Sequence, residues 1–109
     1  MKQARLRHVG ILISDWDKIR PFYEKLGFSL SSECNELWMG ELLMVRKMKN
    51  GYGDILEFIS GAPWMGHISL TVDKLLDHTS EAICKFNEKV QVKFMQDPEG
   101  NWIEFVKEL

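Results

Sequence analysis

Two stretches of the chain repeat one polar–apolar alternation with a histidine at its head. Gly66-His67-Ile68-Ser69-Leu70-Thr71-Val72 puts Ile68, Leu70 and Val72 on one side and His67, Ser69 and Thr71 on the other, the period of two expected of a half-buried strand. Arg7-His8-Val9-Gly10-Ile11-Leu12-Ile13 has the same form. Each histidine segment is answered later by a carboxylate set in an apolar run, first Ile55-Leu56-Glu57-Phe58-Ile59 and then Trp102-Ile103-Glu104-Phe105-Val106. The chain therefore reads as two copies of one unit. The copies are unequal, because His8 and Glu57 stand 49 residues apart and His67 and Glu104 only 37.

The remaining pattern fills in the units. Residues 5 to 14 read as a first strand. Asp15 then caps a helix whose apolar stripe is Trp16, Ile19, Phe22, Tyr23 and Leu26, closed by Gly27. Pro21 falls inside it and should tighten or kink it. A second strand follows Phe28, a polar turn is expected at Glu33-Cys34-Asn35-Glu36, and Glu41 to Lys49 alternates as a third strand. Asn50-Gly51-Tyr52-Gly53 is a turn before the strand of Glu57, and residues 60 to 66 link the copies. In the second copy Asp73 opens a helix with Leu75, Leu76, Thr79, Ala82, Ile83 and Phe86 inside. Val90 to Gln96 is a strand, Asp97-Pro98-Glu99-Gly100 a turn, and the last strand carries Glu104. The 12 missing residues are expected to be one strand and its turn.

Phase brings four side chains together. The residues flanking His8, Glu57, His67 and Glu104 in their strands are all apolar, and successive side chains alternate across a sheet. The apolar neighbours are expected to face the helices, with the four polar residues on the opposite, concave face beside Leu6, Leu12, Ile59 and Trp102. Two imidazoles and two carboxylates form a set of charge −2 that neutralises one divalent cation at about 2.0–2.2 Å. The donor types suit Zn, Ni, Mn, Co or Fe without choosing among them.

Composition narrows the function classes. In 109 residues, 45% are hydrophobic and 28% charged, with net charge −2. That is the size and balance of one globular domain (1-109, with module one 1-60 and module two 66-109). No basic stripe is present to neutralise phosphates, so a nucleic-acid partner is not expected. Neither a membrane span nor a signal peptide is expected. Cys34 and Cys84 are read as reduced thiols of a cytoplasmic protein. Arg46, Lys47 and His78 are read as solvated positions.

The segments His8-Val9-Gly10-Ile11, Phe22-Tyr23-Glu24-Lys25-Leu26-Gly27-Phe28, Gly66 to Asp73 and Asp97 to Glu104 together resemble the vicinal-oxygen-chelate superfamily. Its members include glyoxalase I, methylmalonyl-CoA epimerase, extradiol dioxygenases and drug-resistance proteins. The resemblance implies an α+β fold of paired βαβββ modules, the second one shortened, forming an incomplete barrel around a metal site. Within the superfamily, the ligand set His8, Glu57, His67 and Glu104 looks like that of glyoxalase I. The implied activity is proton transfer by an isomerase or lyase on a small oxygen-chelating carbonyl substrate, with Glu104 the preferred base and Glu57 the second candidate. Leu12 and Gly61 stand where glyoxalase I carries an arginine and an asparagine that contact glutathione, so neither contact is expected. The alternatives are an epimerase of the methylmalonyl-CoA type and a non-catalytic small-molecule binder with a pocket of Trp38, Trp64 and Trp102. A homodimer is expected, since sheet edges are normally paired or covered.

Overall fold

The computed structural model describes residues 3–38, 40–61, 66–75, 83–87 and 89–109, with the backbone path alone for 38 and 83–87. These residues form eight strands and one helix: β1 (Arg5–Leu12), α1 (Trp16–Glu24), β2 (Ser29–Trp38), β3 (Glu41–Lys49), β4 (Ile55–Gly61), β5 (His67–Val72), β6 (Ile83–Asn87), β7 (Val90–Gln96) and β8 (Trp102–Glu108). They divide into two compact units. The first is His8–Gly66, and the second joins the N-terminal segment up to Arg7 to His67–Leu109.

In the first unit the strands run in the order β2-β3-β4-β1. β2, β3 and β4 are antiparallel neighbours, and β1 is parallel to β4. Antiparallel neighbours can be joined by tight turns, whereas the parallel pair needs a long crossover that carries the chain over the sheet. The Asp15 carboxylate accepts the Lys18 N–H at 3.3 Å and caps α1. The helix ends as its glycine predicts. Gly27 takes a φ of +97°, Phe28 N–H reaches Tyr23 O at 3.1 Å, and Gly27 N–H reaches Glu24 O at 3.0 Å, a Schellman closure. Trp16 and Tyr23 pack on Phe58, with ring centroids 5.9 and 4.9 Å apart. Phe22 and Leu26, placed in the stripe by the sequence pattern, are instead exposed, because only one edge of so short a helix can meet the sheet. Pro21 lies inside α1.

The second unit repeats the order as β5-β8-β7-β6, with β5 parallel to β8 and the others antiparallel. Arg7 belongs to it, donating to Thr71 Oγ1 at 3.3 Å and pairing with Glu108 at 2.8 Å.

Three expectations are corrected. No turn interrupts 33–36, since β2 runs unbroken from Ser29 to Trp38 with a bulge between Leu30 and Ser32. In its unit β2 ends the strand order, and polar residues on both faces are what such a strand can carry into water. The expected second helix is not found at Ile83 and Phe86, which lie in β6; the part of that expectation over 76–82, with His78, falls outside the described residues, as does Trp64. No strand is lost from the second copy. Its shortness comes from the crossover, ten residues between β5 and β6 against sixteen between β1 and β2. The rest comes from its outer strands, β6 having 5 residues where β2 has 10.

The turns before β4 and β8 are one device used twice. Asn50 Oδ1 accepts the N–H groups of Tyr52 and Asp54 at 3.0 and 2.9 Å. Asp97 Oδ1 accepts those of Glu99 and Asn101, both at 2.9 Å. Gly53 and Gly100 take φ of +87° and +88° at matching places. In each turn an Asn side chain donates to an Asp carboxylate across four residues.

Candidate metal centre

In each unit the candidate residues lie on the strand face that the alternation marks as polar. In the first unit, β1 and β4 pair Gly10 with Glu57, so His8, two residues earlier, shares the face of Glu57. His8 Nε2 lies 3.3 Å from Glu57 Oε2, and both residues are buried. Two ligands bound at about 2.0–2.2 Å to one cation with a tetrahedral angle stand roughly 3.4 Å apart. The observed spacing therefore fits a shared divalent ion, and the donors are one imidazole nitrogen and one carboxylate oxygen.

In the second unit, β5 and β8 pair Ser69 with Glu104, and β7 and β8 pair Phe94 with Glu104. His67, Ser69, Phe94 and Glu104 are all buried. The His67 ring meets Phe94 edge-on at 5.6 Å. Ser69 Oγ donates to Glu104 Oε1 at 2.6 Å.

This face is drier than the one opposite, against the expectation that the apolar residues would be the covered set. His8, Glu57, His67 and Glu104 are each at most 8% exposed, whereas Ile68 is 42% exposed. Phe58, under α1, is the fully covered residue on the opposite side of β4. Alternation shows that a strand has two unlike faces; it does not show which is covered. Leu43, Val45 and Ile59 form an apolar cluster beside Glu57. Leu6 and Leu12, assigned to this face from sequence, are exposed.

Lys47 was missed as a member of this surroundings. It is the cross-strand partner of Glu57, and its Nζ lies 3.8 Å from Glu57 Oε2. The alternation carried a signal, since Leu43, Val45 and Lys47 share one face of β3. Arg46, its neighbour, faces the other way. It bonds Glu33 at 2.9 Å and stacks over Trp16 at 5.0 Å, so it is not a solvated edge residue. Cys34 is a free thiol; burial, then the Glu36 carboxylate, pushes its pKa up and keeps it protonated.

Within the first unit, the buried imidazole of His8 and carboxylate of Glu57 are donors of the kind a divalent cation takes. No helix among the described residues is long and apolar enough to cross a membrane.

No protein-family model and no curated protein matches the sequence. Solved structures do match. A mutant of 4-hydroxymandelate synthase from Streptomyces coelicolor aligns over 98% of this chain at TM-score 0.70 and 14% identity. The chain spans about half of that protein, 49% of its length. A glyoxalase family protein from Bacillus cereus aligns over the whole of this chain and 97% of its own, at TM-score 0.51 and 16% identity. At such identities the likeness shows the fold alone.

Proposed function

We propose that this protein is a divalent-metal-dependent enzyme of glyoxalase type, an isomerase or lyase that moves a proton on a small carbonyl substrate whose neighbouring oxygens chelate the metal. The observation that carries this reading is the buried His8 Nε2–Glu57 Oε2 pair at 3.3 Å. Its sequence counterpart is the buried His67 and Glu104 of the second copy. Two glutamates that serve only the fold would not be buried without reason, since desolvating a carboxylate costs several kcal/mol.

His8, Glu57, His67 and Glu104 are the ligands in this reading. When bound, a divalent ion supplies Lewis-acid polarisation of adjacent substrate oxygens, which acidifies the neighbouring C–H. The protein's own groups do the rest. Glu104 takes the proton and returns it, with Glu57 the second candidate. The apolar cluster of Leu43, Val45 and Ile59 keeps water from the Glu57 side. The same reading includes a homodimer, checked by sedimentation of the full chain.

The test has two parts. Titration with zinc, nickel, manganese and cobalt, followed by calorimetry, is expected to show one ion per chain with His8→Ala abolishing uptake. Candidate carbonyl compounds are then incubated in D2O with the loaded protein and followed by NMR. Exchange of one substrate C–H is expected, and Glu104→Gln should slow it by about 10²–10⁴-fold at metal concentrations that keep the site filled, with less effect on metal content than on turnover. A chain that takes up none of the four ions would refute the reading.

A further inference from the structure

The two carboxylates are flanked differently. Across the parallel ladders Glu57 lies beside Gly10, and Glu104 lies beside Ser69. Both flanking residues stand two positions after the histidine of their own strand, so they are the same site of the repeat. Where the first unit has no side chain, the second has a hydroxyl that is 0% exposed and donates to Glu104 Oε1 at 2.6 Å. An O–H···O⁻ contact of about 2.5–2.7 Å is of the charge-assisted kind. A buried hydroxyl is costly unless it bonds, and Glu104 is the partner that repays the cost. Glu57 instead has His8 Nε2 at 3.3 Å and Lys47 Nζ at 3.8 Å, the latter on a side chain 37% exposed.

We propose that Ser69 is the positioning residue of Glu104. Its O–H commits Oε1 and fixes the plane of the carboxylate, so that the group meets cation or substrate proton in one orientation. This inference rests on the metal-dependent reading given above. The repeat is asymmetric at this place: the second copy sets a hydroxyl against its carboxylate where the first has a glycine. Partners that orient a ligand in this way typically change metal affinity by about 10–100-fold when removed.

Cobalt(II) alone is the probe, added to the metal-free full chain, with its visible absorption reporting both affinity and ligand arrangement. Ser69→Ala is expected to weaken cobalt binding by about 10–100-fold and to shift the absorption band. Ser69→Thr keeps the donor and should behave as wild type, whereas Ser69→Val, isosteric with the threonine variant but without the hydroxyl, should behave as Ser69→Ala; this pair decides the matter if the alanine variant fails to fold. In a Glu104→Gln background the Ser69→Ala loss should vanish, because coupled groups are non-additive. Cobalt uptake by wild type that Ser69→Ala leaves unaltered, an equal loss with and without Glu104, or matching Thr and Val variants would each overturn the role of Ser69 and leave the metal reading standing. No uptake by wild type overturns both.

Discussion

Phe58 and Ile68 occupy equivalent places in their alternations, each an apolar residue next to a ligand candidate, yet Phe58 is 0% and Ile68 42% exposed. The difference is local. Trp16 and Tyr23 of α1 lie directly on Phe58, whereas Ile68 stands near the beginning of β5. Phe58→Ala should therefore cost about 3–5 kcal/mol in urea unfolding, as a large side chain leaves a closed cavity. Ile68→Ala should cost no more than about 1 kcal/mol, since most surface substitutions are mild. Equal losses at the two sites would mean that packing on α1 is not what distinguishes them. At this scale the candidate ligands were legible, because a polar residue within an apolar run stands out. Ser69 and Lys47 were not, because a serine or lysine in a strand is ordinary until its cross-strand neighbour is known.

Among the elements, the paired turns show most directly how the duplication is written. Asp97 has its pKa lowered, chiefly by the Asn101 side-chain hydrogen bond and then by the backbone N–H groups of Asn101, Glu99 and Gly100. A depressed carboxylate stabilises the fold above its ordinary value of 3.8 and loses that contribution as pH falls through the lower folded value. NMR titration should place the Asp97 midpoint below that of an unstructured aspartate, and Asn101→Ala should move it back up. The first turn inverts the roles, with Asn50 as acceptor of the backbone N–H groups. In both, glycine sits at positive φ. Gly53→Ala and Gly100→Ala should each cost roughly 1–2 kcal/mol, the expense of a left-handed L-residue. Turn residues announce themselves in sequence, and both turns were read correctly as turns. The course of β2 and β6 was not readable, because β2 is polar on both faces and Ile83 to Asn87 is too short to show whether its period is two or 3.6.

For the molecule as a whole, the duplicated histidine–carboxylate pattern showed that one unit occurs twice, and the resemblance carried by the motif segments supplied the fold. The chemistry is further from the sequence. Ligand types bound the metal to a class, and nothing in the pattern specifies the carbonyl compound. The burial of four ionisable side chains has a thermodynamic consequence of its own. A cation that binds the native chain and not the unfolded one stabilises it by mass action, by about 2.7 kcal/mol at a hundred times its dissociation constant. Thermal unfolding should therefore shift upward by several degrees with saturating zinc, nickel or cobalt, return to the metal-free midpoint on chelation, and respond far less in a His8→Ala chain. A midpoint indifferent to all three ions would mean that these buried donors serve the fold alone.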